Sequence, residues 1–243
     1  MLEVRNVSRF FGGLQALQDV SFTVQQGQIF GIIGPNGAGK STLFHCITCL
    51  FPPSSGQIFF EGREITGMKP HRIADLGITR TFQHTQVFPK ISVWDNILTG
   101  QYVLKVRDPS RSKADLDRAA EEILEFVGIM RYRDTLAANL SLGDQIRLAI
   151  GVALATEPKL LLLDEPAAGM NPEETNRLMD LIRQVRDRGV TVMLIEHDMK
   201  AVMGLCERIA VLEYGRKIAE GTPQEIQSNP RVIEAYLGSG DVA

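Results

Sequence analysis

The sequence predicts an α/β fold with a mostly parallel sheet, an antiparallel β subdomain at the N-terminus and an inserted helical lobe. Short, unbroken apolar runs at residues 29–33, 160–163 and 190–195 are typical of buried parallel strands. Residues 3–7 and 20–24 alternate between apolar and polar side chains, which is the pattern of strands buried on one face. Between these regions, the middle of the chain is dominated by helical periodicity.

The remaining elements follow from local breaks and caps. Glycines at positions 12 and 13 predict a turn that joins the two N-terminal strands. The segment from Pro52 to Gly56 predicts a break between secondary-structure elements. Residues 57–62 after it predict a strand and a turn. Near the C-terminus, residues 209–221 predict a hairpin centred on Tyr214-Gly215.

A change from alternating strand and helix patterns to helical patterns alone defines the predicted domain organisation. Residues 86–157 are read as helices, one of which opens with the capping signal Ser112-x-x-Asp115. We therefore predict a single domain over residues 1–243. Residues 1–85 and 158–243 form its core with the β subdomain, and residues 86–157 form a helical lobe.

Composition narrows the possible roles. The 243 residues are 44% hydrophobic and carry a formal net charge of −3, which gives no electrostatic footprint for nucleic acid or an anionic membrane surface. The N-terminus lacks a signal-peptide core, and no apolar stretch is long enough to span a membrane. Any membrane role therefore needs a partner. The three cysteines are expected to be reduced, buried residues, with Cys46 and Cys49 inside one helix.

The most specific motif follows the apolar run at 29–33 and fits the pattern G-x-x-x-x-G-K-[ST]. Its residues are Gly34, Pro35, Asn36, Gly37, Ala38, Gly39, Lys40 and Ser41, followed by Thr42. Glycines let backbone N–H groups turn towards a phosphate, the lysine adds a positive charge, and the serine hydroxyl suits Mg²⁺. A helix that begins here faces the same anion. The predicted core is therefore a P-loop nucleotide-binding core.

Two strand ends carry further chemistry. Asp164 and Glu165 end the apolar run at 160–163, where α/β sheets place ligand-binding groups. In this position the Asp164 carboxylate can contribute to the coordination shell of Mg²⁺. The Glu165 carboxylate can orient or deprotonate an attacking water molecule. His197 follows the apolar run at 190–195. From this position alone, a functional role and a purely structural role for the histidine are equally well supported.

Other candidates are weaker when taken alone. Phe10 and Phe11 lie beside the first glycines, and either ring can stack on a purine or pack in the core. Gln83 can accept from a metal-bound water, although a glutamine in a loop is usually only solvated. Ser141 and Gly143 open a helix and can face a phosphate, but a plain N-cap at Ser141 is the simpler interpretation.

Together these segments resemble the ATP-binding subunits of ABC transporters, over essentially the whole chain. The resemblance implies ATP-binding roles for Phe11, for the loop residues from Gly34 to Thr42, and for Ser141 and Gly143. It implies Mg²⁺-related roles for Ser41, Gln83 and Asp164, and catalytic roles for Glu165 and His197. It also implies a head-to-tail dimer, in which ATP on one subunit is capped by Ser141 of the other and hydrolysis releases the two subunits.

A narrower resemblance is to the ATPases of branched-chain amino acid importers. It rests on residues 80–83, 164–174, 195–199 and the tail after Gly221. This implies transmembrane permease subunits as partners, a second ABC ATPase subunit in a homodimer or heterodimer, and a cytoplasmic chain held peripherally at the inner face of the cell membrane. Import of urea, amides or small organic acids remains an alternative, since related proteins carry these substrates.

Four residues depart from the general family pattern. Leu142 replaces a glycine or an aromatic residue, Asp144 replaces a glutamine, and Val152 replaces an arginine. Asn171 replaces an aspartate, as is ordinary in the branched-chain group. Leu142, Asp144 and Val152 call into question how strongly this chain contacts the ATP bound to the other subunit of the dimer. Asp144 in particular brings negative charge near a triphosphate.

Two further hypotheses follow. One is a soluble ABC-type ATP switch that acts on a macromolecular partner without transport, although the basic extensions and coiled coils of such proteins are missing. The other is a degenerate, regulatory subunit, which Leu142 and Asp144 would explain.

Overall fold

The computed structural model describes residues 1–81 and 87–237, which fall into two compact units. The first unit comprises residues 1–76 and the chain from residue 183 onwards, and the second comprises residues 77–182. None of the helices in the described part of the chain combines the length and the apolar character needed to cross a bilayer.

The first unit contains an antiparallel sheet. Its strands are β1 (Leu2–Phe11), β2 (Leu14–Val24), β4 (Ser55–Phe60) and β5 (Arg63–Glu64), in the order β2-β1-β4-β5. β1 and β2 are longer than predicted and meet at a two-residue turn, with Phe11 opposite Leu14. Register shifts between Val4 and Phe10 break the alternation of side chains, so the sequence pattern shows only part of each strand.

A second sheet in this unit carries the buried apolar runs. Its strands are β3 (Ile29–Ile33), β8 (Thr191–Ile195), β9 (Arg208–Glu213) and β10 (Arg216–Gly221). β3 pairs in parallel with both β8 and β9, and β10 returns antiparallel to β9 as the predicted hairpin. β3 and β8 are buried along their whole length, as expected for parallel strands covered on both faces.

Helices complete the described part of the first unit, which also includes the end of α6 (Pro172–Asp187). Those that lie wholly within it are α1 (Lys40–Ile47), α2 (Pro70–Asp75), α7 (Met199–Leu205), α8 (Pro223–Gln227) and α9 (Pro230–Leu237). The prediction that Cys49 lies within the helix after the Gly-rich loop is wrong, since α1 ends at Ile47 and Cys49 has a left-handed φ of 49°. All three cysteines are buried and free, as predicted. Burial raises the pKa of Cys46 and of Cys206 to about 12.

The second unit combines two parallel strands with helices. Its elements are β6 (Ile78–Arg80), α3 (Val93–Arg107), α4 (Lys113–Phe126), α5 (Leu142–Leu154), β7 (Leu160–Asp164) and the first part of α6 (Pro172–Asp187), whose last residues belong to the first unit. Short 3-10 turns at Met130–Tyr132 and Ala137–Asn139 link α4 to α5. The predicted capping box at Ser112 and Asp115 is confirmed at the start of α4.

Candidate functional site

The Gly-rich loop lies between β3 and α1, and its glycines are required by close backbone contacts. Gly34 has a φ of 147°, and a Cβ atom there would lie 2.0 Å from the Leu212 carbonyl oxygen. Gly39 has a φ of 99°, and its Cβ would lie 2.6 Å from the Ala16 carbonyl oxygen. Strands β2 and β9 thus hold the loop in a conformation that only glycine adopts without a clash.

The same loop is open towards solvent at its centre. Gly37 is exposed with a φ of 78°, and no atom would lie within 4 Å of a Cβ added there. Gly39 is the N-cap residue of α1 and makes no side-chain cap bond. An open loop that leads into a helix N-terminus suits a phosphate group, because the first N–H groups of a helix and the helix dipole attract anions.

Lys40 lies folded beneath this loop. Its side chain is buried, and Nζ donates to the carbonyl oxygens of Gly34 at 2.7 Å and Pro35 at 3.1 Å. These bonds hold a positive charge against the backbone of the loop, and charged donors form strong hydrogen bonds to phosphate. Ser41 and Thr42 follow in the first turn of α1 and are half-buried.

His197 lies at the same sheet edge as the loop. β3 and β8 run in parallel with Ile32 opposite Ile195, so the loop and His197 both follow the carboxyl ends of neighbouring strands. The His197 backbone N–H donates to Oε2 of the buried Glu196 at 3.3 Å, and its Nδ1 lies 3.7 Å from that oxygen. The His197 side chain is 62% exposed, so it can meet a ligand.

Phe10 and Phe11 are the last two residues of β1, and β2, beyond the turn, carries Ala16, whose carbonyl lies against the Gly-rich loop. Phe11 is 38% exposed and Phe10 is 45% exposed. The Arg9 guanidinium lies 4.6 Å from the centre of the Phe11 ring, and Phe51 meets that ring edge-on at 5.7 Å. Phe11 is therefore held in a cluster with Arg9 and Phe51, while part of its side chain stays exposed.

The two carboxylates lie in the second unit, at the end of β7. Asp164 is buried, and its Oδ2 accepts a hydrogen bond from Nη2 of Arg80 at 2.7 Å. Glu165 is half-buried and has a left-handed φ of 47°, a strained conformation for a residue with a side chain. Such strain is found at functional sites, where the surrounding structure maintains it. Arg80 was not among the predicted site residues, because its contact depends on strand pairing.

Ser141 and Gly143 lie at the exposed start of α5. Ser141 is the N-cap: its Oγ accepts from the Asp144 N–H at 3.2 Å and donates to the Asp144 carboxylate at 2.9 Å. The Leu142 side chain reaches the loop that follows β7, where it would lie 3.3 Å from a Cβ on Gly169. The start of α5 and the loop after Glu165 are thus brought together within this unit.

Asn171 is explained by a helix cap. Its Oδ1 accepts from the N–H groups of Glu173 and Glu174 at 3.0 Å, and the Glu174 carboxylate accepts from its N–H at 3.0 Å. The replacement of aspartate by asparagine therefore leaves the N-terminus of α6 capped.

The predicted residues divide between the two units. Phe11, the loop and His197 lie in the first unit, whereas Ser141, Gly143, Asp164 and Glu165 lie in the second. Gln83 lies outside the described residues. Within residues 1–81 and 87–237, no group of three or more His, Cys, Asp or Glu side chains is arranged to hold a metal ion by itself.

A Gly-rich loop between a buried parallel strand and the N-terminus of a helix is the arrangement of a phosphate-binding loop. A family model described as ABC transporter matches residues 17–168, which is more than half of the chain. The chain belongs to the ABC transporter family, as one of its ATP-hydrolysing subunits. A second model, described as branched-chain amino acid ATP-binding cassette transporter, matches residues 216–242.

Named relatives and solved structures agree with this family. The chain is 43% identical over 98% of both chains to the high-affinity branched-chain amino acid transport ATP-binding protein LivG of Salmonella typhimurium. It is 33% identical to the ADP conformation of MJ1267, an ATP-binding cassette of an ABC transporter, with a TM-score of 0.89 and 98% coverage of both chains. A dimeric post-hydrolysis state of the cassette MJ0796, bound to ADP and Pi, matches with a TM-score of 0.81 at 25% identity, covering 92% of this chain and 99% of that one.

Proposed function

We propose that this chain powers the import of branched-chain or related amino acids by hydrolysing ATP beneath transmembrane permease subunits. The observation that carries this proposal is the 43% identity to LivG over 98% of both chains. The match of residues 216–242 to the branched-chain model supports the same substrate class independently of the ATP-binding core. In the cell, the chain is cytoplasmic and held at the inner face of the membrane by its permease partners.

The proposed ATP site combines the features of the first unit. The open loop from Gly34 to Ser41 holds the phosphates, with Lys40 supplying charge to the β- and γ-phosphates. Phe11 stacks on the adenine, and His197 meets the γ-phosphate from the end of β8. The N-terminus of α1 and the buried lysine support this arrangement.

Mg²⁺ is the proposed cofactor, and it neutralises the negative charge that develops on the phosphates. Ser41, Asp164 and Gln83 would hold it, directly or through water. The fit rests on donor chemistry, because hydroxyl, carboxylate and amide oxygens are the ligands that Mg²⁺ prefers. Mg²⁺ also takes ligands from phosphates and water, so it needs no dedicated cluster of protein carboxylates.

Dimerisation is proposed to complete the site. ATP on one subunit meets Ser141 and the N–H groups near Gly143 of a second ABC ATPase, which is either another copy or a related chain. The exposed position of Ser141 and the solved dimer of MJ0796 support this geometry. We also propose the predicted organisation, with a nucleotide-binding core of residues 1–85 and 158–243 and a helical lobe of residues 86–157.

The proposal is tested by Glu165→Gln, which removes the base but keeps the shape of the side chain. We expect the steady-state ATPase rate to fall by at least about a hundredfold, as for loss of a general base, and ATP to trap a dimer on gel filtration. Glu173→Gln is the control and should keep the wild-type rate, because the Glu173 side chain is exposed and pairs with Arg177. A Glu165→Gln variant with unchanged hydrolysis would remove this residue from the mechanism.

The substrate class needs a separate measurement. With its permease subunits and a binding protein in proteoliposomes, the chain should drive ATP-dependent uptake of radiolabelled leucine, isoleucine or valine. Uptake of urea or amides instead would retain the ATPase assignment and replace the substrate. Purification with nucleic acid or ribosomes, without membrane subunits, would favour the soluble ATP switch.

A further inference from the structure

A cation and a second aromatic ring surround Phe11 at the end of β1. The Arg9 guanidinium lies over the Phe11 ring, with 4.6 Å between the guanidinium carbon and the ring centre. The same carbon lies 5.9 Å from the centre of the Phe51 ring, which meets the Phe11 ring edge-on at 5.7 Å. One face of the Phe11 ring is thus covered by a cation, and a neighbouring ring borders it from the side.

The Arg9 side chain is fixed by a contact that does not involve the ring. Its Nη1 donates to the Pro52 carbonyl oxygen at 2.7 Å, and a hydrogen bond from a charged donor is a strong one. The segment that carries Pro52 is itself joined to β1, because the Ser54 N–H donates to the Ser8 carbonyl oxygen at 2.8 Å. The guanidinium therefore forms a support for the Phe11 ring that is tied to the backbone.

The Phe11 side chain keeps accessible surface in spite of these contacts. It is 38% exposed, although both Arg9 and Phe51 lie against it. Since a planar ring has two faces, a base that stacks on Phe11 uses the face opposite the guanidinium. Stacking depends on the relative orientation of the two rings, and a ring that is held before the base arrives loses less freedom on binding.

We propose that Arg9 is a positioning residue for adenine, which holds the Phe11 ring from one face and presents the other face to the base. This inference rests on the proposed stacking of adenine on Phe11. Arg9 acts through the ring and makes no contact of its own with the nucleotide. Its loss should therefore weaken the part of the binding that comes from the base and leave the binding of the triphosphate unchanged.

Two ligands separate these two parts of the affinity. A non-hydrolysable ATP analogue carries the base, whereas inorganic triphosphate carries only the phosphates, and titration calorimetry with Mg²⁺ present measures both affinities. Arg9→Gln removes the cation and should weaken binding of the analogue by about fivefold, the size expected for a cation–aromatic pair at a partly exposed site. Its affinity for inorganic triphosphate should stay within about twofold of wild type. General damage to the fold would lower both affinities.

A double-mutant cycle tests whether Arg9 acts through the ring. Phe11→Ala alone should weaken binding of the analogue by at least about tenfold, as expected for loss of a stacked base. In the Phe11→Ala background, Arg9→Gln should add less than about a twofold loss, because the ring that it positions is gone. Arg5→Gln is the matched control: the Arg5 guanidinium carbon lies 4.3 Å from the centre of the Phe59 ring in the same sheet, and its loss should change neither affinity.

The outcomes distinguish this inference from the proposed function. If Phe11→Ala binds the analogue like wild type, the proposed contact between Phe11 and adenine fails. If Phe11→Ala weakens binding but Arg9→Gln does not, the inference about Arg9 is wrong. It is also wrong if Arg9→Gln weakens inorganic triphosphate as much as the analogue, or keeps its full effect in the Phe11→Ala background.

Thermal denaturation checks that each variant is folded. Should Arg9→Gln fail to fold, Arg9→Lys decides, because an ammonium group cannot lie flat over the ring and hold the Pro52 carbonyl as the planar guanidinium does. We expect the analogue to bind this variant about threefold more weakly, with the affinity for inorganic triphosphate unchanged. Wild-type affinity for both ligands, or an equal loss for both, would contradict the proposal.

Discussion

Two helices in this chain begin in contrasting ways, and both beginnings are proposed to meet ATP. α1 begins after Gly39, which offers no side-chain cap, and Lys40 lies beneath the loop with its charge held by backbone carbonyls. α5 begins at Ser141, whose hydroxyl both accepts from the Asp144 N–H and donates to the Asp144 carboxylate. The N-cap residue of α1 provides no side-chain cap, whereas that of α5 does and is itself bonded to Asp144.

The difference indicates two kinds of phosphate contact. An N-terminus whose N-cap residue offers no side chain is prepared for an anion before it arrives, so binding costs little rearrangement. At α5, the Ser141 hydroxyl must exchange its bond to Asp144 for a bond to phosphate, and a negative charge remains close by. We therefore expect α1 to determine nucleotide affinity and α5 to determine only the weaker, ATP-dependent association of two subunits.

The largest expected effect is on the α1 side. Lys40→Ala removes the charge held against the loop backbone and should weaken ATP binding by about a hundredfold, since hydrogen bonds to charged groups contribute about 1.5–3 kcal/mol each. Titration calorimetry with a non-hydrolysable analogue measures this affinity. Lys217→Ala is the control, because Lys217 pairs with Glu220 in the same unit. Equal affinities in Lys40→Ala and wild type would show that the loop is not the nucleotide site.

This contrast also shows what local sequence can predict. The Gly-rich loop is recognisable from sequence because its glycines set the local backbone conformation and its lysine supplies the charge, all within eight consecutive residues. The capping box of α4 and the β9–β10 hairpin are likewise local, and both are confirmed. For the same reason Ser141 was already interpretable as an N-cap, although its bond to Asp144 shows how fully that cap is satisfied.

Features that depend on register were not predictable. The Arg80–Asp164 bond requires Arg80 to lie opposite Leu162, and the period-two pattern of a short strand does not specify its partner. The lengths of β1 and β2 were underestimated because bulges shift their pairing and remove the alternation. The contacts of the Phe11 ring with Arg9 and Phe51 depend on side-chain packing, which the sequence does not reveal.

A smaller effect is expected at α5. Ser141→Ala should destabilise the fold by about 1 kcal/mol through loss of the cap and reduce ATP-dependent dimerisation by about tenfold, with ATP affinity unchanged. Ser112→Ala is a matched control, because Ser112 caps α4 in the same unit through the same S-x-x-D arrangement. Denaturation and gel filtration with ATP measure the two quantities. If both variants dimerise equally, Ser141 is only a cap.

The smallest expected effect tests the charge beside that cap. Asp144→Gln removes a carboxylate from the proposed phosphate contact, so ATP-dependent dimerisation should strengthen about threefold at low ionic strength. The gain should disappear at high salt, where screening already weakens the repulsion. Stability should fall by about 0.5 kcal/mol, because an acidic residue in the first turn favours the helix dipole.

Asp115→Gln provides the comparison for this charge. It removes the equivalent carboxylate from α4 and should cost similar stability without changing dimerisation. Sedimentation at two salt concentrations distinguishes the outcomes. Weaker dimerisation in Asp144→Gln at both concentrations would mean that the carboxylate helps by aiming the Ser141 hydroxyl. In that case, the capped N-terminus of α5 would be as fully prepared for phosphate as that of α1.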